Sequence, residues 1–255
     1  EAMPTILPLL DADCVGLLLD KYRKQGIRIL TSTRVKSVDG NAVRVETEES
    51  EETIEAERIL VCVGRRANLA GIEALTDLEI VRGAVKVNEF MQTNLCNVYA
   101  AGDVTGKLML AHVASRQAEV AVGRMLKRIP LQRIAYNAIP SVVYTNPEIA
   151  SVGLTERDLS GTDCVLPIEY DAKVLSMAYS GRFVAENEGE NGLCKVIIDK
   201  KNNTLLGVHM VGNPCSEFIA AASFAVRMGY TVDEFKQVVF PHPTVSEILR
   251  ETTIS

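Results

Sequence analysis

LCKVIIDKKNNTLLGVHMVG, residues 193–212, is two apolar runs separated by a short polar stretch. Lys200 to Asn203, with two asparagines, has the composition of a turn, so Leu193–Asp199 and Leu205–Gly212 are expected to pair as a hairpin. Ahead of them VVYTNPEIASVGLT, residues 142–155, supplies a further extended run. Strands that follow one another with no helix between them make an antiparallel sheet, and this change of pattern, set between Pro130 and Pro140, marks a separate domain.

Upstream, helix and strand patterns alternate. EAMPTILPLLDAD (1–13) reads as a loop in which Asp11 or Asp13 caps a helix over Cys14–Lys24, stopped by Gly26. GIRILTST (26–33) reads as a strand. TRVKSVDGNAVRVETEE (33–49) alternates around Asp39-Gly40, a hairpin signal, and the acidic run EESEETIEAE (48–57) as a solvated loop and strand edge. In RILVCVGRRAN (58–68) the continuous apolar run Leu60–Val63 is expected to be a strand buried on both faces, ending at Gly64. Val98–Ala101 is expected to be a second short buried strand. It ends in Gly102-Asp103, which can aim a carboxylate at a hydroxyl-bearing ligand. A helix follows over Ala111–Leu126, with Ala111, Ala114, Ala118, Ala121 and Val122 as a small-residue face suited to close packing on a sheet or on a flat ligand.

Past the hairpin, Asn213-Pro214 introduces the helix CSEFIAAASFAVRM (215–228), stopped by Gly229. Phe218, Ile219, Ala222, Phe224, Ala225 and Val226 cover more than one of its sides, which in a small domain points to extra cover from a second subunit. The last informative stretch is FPHPTVSEILRE, 240–251. His242 stands between Pro241 and Pro243, so the backbone on both sides of its imidazole is restricted. Thr244-Val245-Ser246-Glu247 fits a capping box, and Glu247 can either cap that helix or orient the imidazole five residues before it.

The net charge of −6 over 255 residues argues against a nucleic-acid or anionic-membrane surface. No apolar run approaches the ~20 residues of a membrane-spanning helix. The six cysteines (Cys14, Cys62, Cys96, Cys164, Cys194, Cys215) form no CxxC and do not cluster with His112, His209 and His242. No metal site is expected, and the cysteines read as buried, reduced thiols of a cytoplasmic protein.

Four motifs in order, VCVGRRAN, NVYAAGDVTGKLMLAHVA, NPEIASVGLTE and FPHPTVSEILRE, resemble the C-terminal half of the pyridine nucleotide–disulfide oxidoreductases. VSEIL after His-Pro-Thr is similar to the dihydrolipoyl dehydrogenase branch more than to glutathione reductase, and Ala67 departs from the family's usual proline. The resemblance implies an α/β plus α+β chain: partial NAD(P)- and FAD-binding Rossmann-like domains (1–67 and 68–136), then an antiparallel-sheet-plus-helices dimerisation domain (137–255). It implies a homodimer that oxidises dihydrolipoamide, presented on a lipoyl carrier domain, with FAD and NAD as cofactors. Carried over by position, Glu1, Val35 and Gly64 are similar to NAD contacts, Asp103 to the aspartate on the flavin's ribityl chain, and Met109, Leu110 and Ala111 to the segment along FAD. His242 resembles the acid/base, held by Glu247 and delivered to the partner subunit. An imidazole, with an ordinary pKa of ~6.5, suits a thiol proton. The family's glycine-rich FAD loop, CxxxxC disulfide and GxGxxG are expected before Glu1, so the chain alone is expected to be inactive. A related flavin disulfide reductase, a transhydrogenase and a non-catalytic dimerisation module stay open as alternatives.

Overall fold

The computed structural model describes residues 1–127, 133–160 and 168–255, and the chain divides into two units, Glu1–Ile59 with Asn137–Ser255, and Leu60–Tyr136. Along the first segment run α1 (Ala12–Lys24), β1 (Arg34–Asp39), β2 (Ala42–Glu46) and β3 (Glu51–Glu55). The Leu60–Tyr136 unit holds β4 (Ile80–Val81), β5 (Ala84–Val85) and α2 (Ala111–Met125). The last segment begins with β6 (Ser141–Val143), β7 (Ile149–Gly153), α3 (Glu156–Ser160), β8 (Tyr170–Ser176) and α4 (Gly181–Glu186). It ends with β9 (Leu193–Asp199), β10 (Leu205–Val211), α5 (Cys215–Met228), α6 (Val232–Phe235) and α7 (Ile248–Ile254).

The hairpin expected over residues 193–212 forms the centre of the larger unit. β9 and β10 pair antiparallel within a five-stranded sheet of order β6-β7-β10-β9-β8. All seven residues of β9 are buried, so both faces of the sheet are covered. Leu193, Val211 and Ile149 lie in register across three strands and pack with Cys14 and Leu18, which places α1 on that face. Asp11 caps α1 by accepting the Asp13 N–H at 3.0 Å, settling which of the two aspartates does so. On the opposite face Thr252 of α7 reaches Cys194. α5 packs on β7, β10 and the turn that leads into α7, and Gly229 closes it in the left-handed conformation. The Asp39-Gly40 signal gives the β1–β2 hairpin, with Asp39 opposite Ala42, and β3 carries the acidic run along an edge.

In the smaller unit Val113, Gln117, Val120 and Ala121 form the buried face of α2, and Val120 and Ala121 pack with Leu78, Val85, Val87 and Met91. Of the small-residue face, Ala121 is buried, Ala114 is half-buried, and Ala111, Ala118 and Val122 are exposed.

Three expected strands are absent. Leu60–Val63 makes no ladder, and Leu60, Val61 and Val63 are 87%, 69% and 89% exposed. Residues 26–33 are likewise irregular, and Val98–Ala101 contributes only an isolated bridge between Tyr99 and Gln92. A buried strand is defined by its neighbours, and among the described residues no strand lies beside any of these runs. The cysteines also divide: Cys14, Cys194 and Cys215 are buried, Cys62 and Cys96 are exposed, and Cys164 lies outside the described residues. So does the start of the pattern change at Pro130. Among the described residues no helix is long and apolar enough to cross a membrane.

Candidate active site

The last turn before α7 brings His242 and Glu247 together. His242 Nδ1 lies 2.9 Å from Glu247 Oε1, and Glu247 Oε2 accepts the Thr244 backbone N–H at 2.8 Å. The carboxylate therefore caps and orients at once, one oxygen to each task. The Thr244 N–H, then the bond and charge of His242, hold the Glu247 carboxyl below its ordinary value against the opposing effect of burial. An ionised carboxylate only accepts, so Nδ1 of His242 is the donor and the lone pair of the neutral ring sits on Nε2. The His242 side chain is 83% exposed, whereas that of Glu247 is 25% exposed. A stiffly held ring thus stands out from the surface, beside a cleft of about 500 Å³ lined by Tyr179, Ser180, Arg182, Glu247 and Glu251.

Two further contacts of this site went unrecognised in the sequence. Thr244 donates its hydroxyl to the Pro241 carbonyl at 2.7 Å. Ser180, almost buried before α4, donates to the Thr244 carbonyl at 3.1 Å across 64 positions of sequence. Thr244 was legible as a cap residue, but nothing local to Ser180 announces its contact.

The other expected site residues lie elsewhere. Glu1 turns back on its own segment: its amino group donates to the Leu30 carbonyl at 3.0 Å and its Oε1 accepts the Met3 N–H at 2.8 Å. Val35 is exposed on β1. Gly64 (φ +109°) is an exposed residue of the smaller unit. In that same unit Gly102 takes φ +83°, and a Cβ there would touch the Ala114 Cβ at 3.4 Å, so the backbone there passes close to α2. Buried Gln117 locks the crossing, accepting the Gly102 N–H at 2.6 Å and donating to the Tyr136 hydroxyl at 3.1 Å. Asp103 follows with an exposed carboxylate. Met109 and Leu110 are half-buried, Ala111 is exposed, and α2 begins at Leu110 with no side-chain cap.

This donor set suits a nucleotide cofactor. An exposed carboxylate at Asp103 matches sugar or ribityl hydroxyls, and the uncapped start of a 15-residue helix leaves backbone donors in its first turn.

A unit built on an antiparallel five-stranded sheet, with an exposed histidine–glutamate pair ahead of its last helix, defines a class, and comparison gives it a name. Two sequence models of one family match, pyridine nucleotide-disulphide oxidoreductase over residues 1–118 and its dimerisation domain over residues 139–253. The chain belongs to the pyridine nucleotide-disulphide oxidoreductase family. Among curated relatives, dihydrolipoyl dehydrogenase of Rhizobium etli is 35% identical, aligned over 100% of this chain and 53% of its own length. That of Thermus scotoductus is 38% identical over 98% of this chain and 54% of its own. The crystal structure of LpdA from Mycobacterium tuberculosis aligns with a TM-score of 0.88 at 26% identity, covering 99% of this chain and 55% of that one. The HOCl-induced flavoprotein disulfide reductase RclA from Escherichia coli shares the fold, with a TM-score of 0.83 at 23% identity over 100% of this chain and 58% of that one. The chain spans about half the length of the curated relatives it matches.

Proposed function

We propose that this chain is the C-terminal part of an FAD-dependent dihydrolipoyl dehydrogenase, in which His242 is the acid/base for dihydrolipoamide and Glu247 orients it. The observation that carries the reading is the double engagement of Glu247, which leaves Nε2 as the only ring nitrogen able to take a proton. A thiol attacking a disulfide must lose its proton, and a placed base contributes ~10²–10⁴-fold to such a step. The imidazolium that results is stabilised by the carboxylate on its other nitrogen, and the proton can later leave to solvent because the ring is exposed.

Asp103, Met109, Leu110 and Ala111 would hold FAD, and Glu1, Val35 and Gly64 would contact NAD. These cofactors, with a redox disulfide, supply the electron acceptors. None of the six cysteines here has the CxxxxC spacing such a disulfide requires. The reading divides the chain into part of an NAD-binding domain (1–67), a returning FAD-binding segment (68–136) and a dimerisation domain (137–255). It takes the working unit to be a cytoplasmic homodimer, with the lipoyl group brought in on a carrier domain and each His242 serving the partner's site.

The full gene product is expected to oxidise dihydrolipoamide with NAD, the 255-residue chain alone to be inactive, and His242→Gln to lower kcat ~10²–10⁴-fold with flavin retained. Steady-state kinetics with flavin absorbance reads all three. Normal turnover in His242→Gln would remove the base assignment. A full product that ignores dihydrolipoamide but reduces another disulfide, or passes hydride between nicotinamides, would move the chain to a sister activity. No redox activity at all would leave a dimerisation module.

A further inference from the structure

The hydrogen bonds around His242 converge on Thr244. Thr244 makes four contacts. Its N–H fixes Glu247 Oε2 at 2.8 Å, and its hydroxyl donates to the Pro241 carbonyl at 2.7 Å. That hydroxyl also lies 2.9 Å from Ser246 Oγ, and the Thr244 carbonyl accepts from Ser180 at 3.1 Å. One bond holds the carboxylate, another holds the backbone just before His242, and the third and fourth hold Thr244 in place. The ring they serve is 83% exposed, and among the described residues its side-chain partner is Glu247. A solvent-facing imidazole without such support samples many rotamers and both neutral tautomers.

We propose that Thr244, seated by Ser180, is the positioning residue that fixes the His242 tautomer, keeping the proton on Nδ1 and the basic lone pair on Nε2. The inference rests on the reading of His242 as the base, and it adds what selects the competent form of that base. Val at position 244 would keep the N–H that caps Glu247 and nearly the same shape, but would release the Pro241 carbonyl together with the Ser246 hydroxyl. The His242–Glu247 bond would then form in a smaller fraction of molecules, and Nε2–H rings, which cannot accept a proton at that nitrogen, would accumulate.

The test is ¹⁵N NMR of the imidazoles of the 255-residue chain at alkaline pH, with His242 assigned by the loss of its signals in His242→Gln. The chain has three histidines, so His112 and His209 report whether the fold is intact. The wild-type ring is expected as the Nδ1–H tautomer. Thr244→Val is expected to lower the Nδ1–H to Nε2–H ratio about fivefold, the effect of one hydrogen bond of ordinary net strength, and Thr244→Ser to restore it. A folded Thr244→Val with the wild-type ratio overturns the proposal, as does a wild-type ring that is mainly Nε2–H. Should Thr244→Val not fold, Ser180→Ala, which removes only the brace on the Thr244 carbonyl, is read the same way: a lowered ratio supports the proposal and an unchanged one overturns it. An unchanged tautomer leaves the assignment of His242 as base standing, whereas normal turnover in His242→Gln removes that assignment and leaves the tautomer result intact.

Discussion

Lys195 is the most committed charge in the molecule. Its side chain is 2% exposed, and its ammonium lies 3.0 Å from Asp11, 2.5 Å from Asp13 and 2.6 Å from Glu156. Burial alone would push this ammonium down, but the hydrogen bonds it donates to Asp13, Glu156 and Asp11 outweigh it and hold the group above its ordinary value. The cluster ties the cap of α1 and the start of α3 to the middle of β9, so one side chain joins three elements that are distant in sequence. Lys195→Met is expected to cost ~3 kcal/mol, because Asp11, equally buried, loses its partner. The pH dependence has a definite sign. With its pKa raised by folding, Lys195 contributes full stability below the unfolded lysine value of ~10.4 and loses it as pH rises above that toward the folded value. Urea unfolding between about pH 10 and pH 12 should therefore show the wild type declining more steeply than Lys195→Met. Parallel slopes would mean that the cluster is not ionised as described.

At the scale of elements, local signals were readable and pairings between distant segments were not. The β9–β10 hairpin, the β1–β2 hairpin and the helices α1 and α5 each carry their turn or cap beside them in the sequence, and α2 carries a run of helix formers. Leu60–Val63, residues 26–33 and Val98–Ala101 have the composition of strands, but a strand exists only when another lies alongside, and composition does not say where that partner is. The candidate site divides the same way. His242 and Glu247 are five residues apart and were paired from sequence, while Ser180 reaches Thr244 only through the folding of the sheet. A long-range pairing that did form is Gly153 with Gly207, opposite each other where β7 and β10 cross most closely. A Cβ on Gly153 would fall 2.1 Å from the Leu206 carbonyl oxygen, and its φ is +83°. Gly16, inside α1, has open space around it. Gly153→Ala is expected to destabilise by ~1–3 kcal/mol through forced backbone shifts, and Gly16→Ala to stabilise by up to ~1 kcal/mol. Thermal unfolding of the pair of variants should move in opposite directions, and a neutral Gly153→Ala would show that the strands can part without cost.

At the scale of the whole molecule, the exposed side of α5 is the surface expected to meet a second chain. Ile219, Ala222, Ala225 and Val226 face the sheet, yet Phe224 and Met228 on the other side are each 57% exposed. Tyr144, in the loop that joins β6 to β7, is 81% exposed. Large apolar side chains on one helix, inside a region that matches a dimerisation domain, fit a self-complementary interface in which α5 meets its own copy. Burying one such side chain is worth ~1.5–3 kcal/mol, so a single charge there should be decisive. Analytical ultracentrifugation is expected to find the chain dimeric and Phe224→Glu monomeric, with the folded signals of His112 and His209 unchanged. Because each His242 is proposed to serve the partner's site, the same substitution in the full gene product should reduce dihydrolipoamide turnover in step with the loss of dimer, while the His242–Glu247 hydrogen bond persists in the monomer. Full activity in a proven monomer would place the base in its own chain's site, and a dimer that survives Phe224→Glu would move the interface off α5.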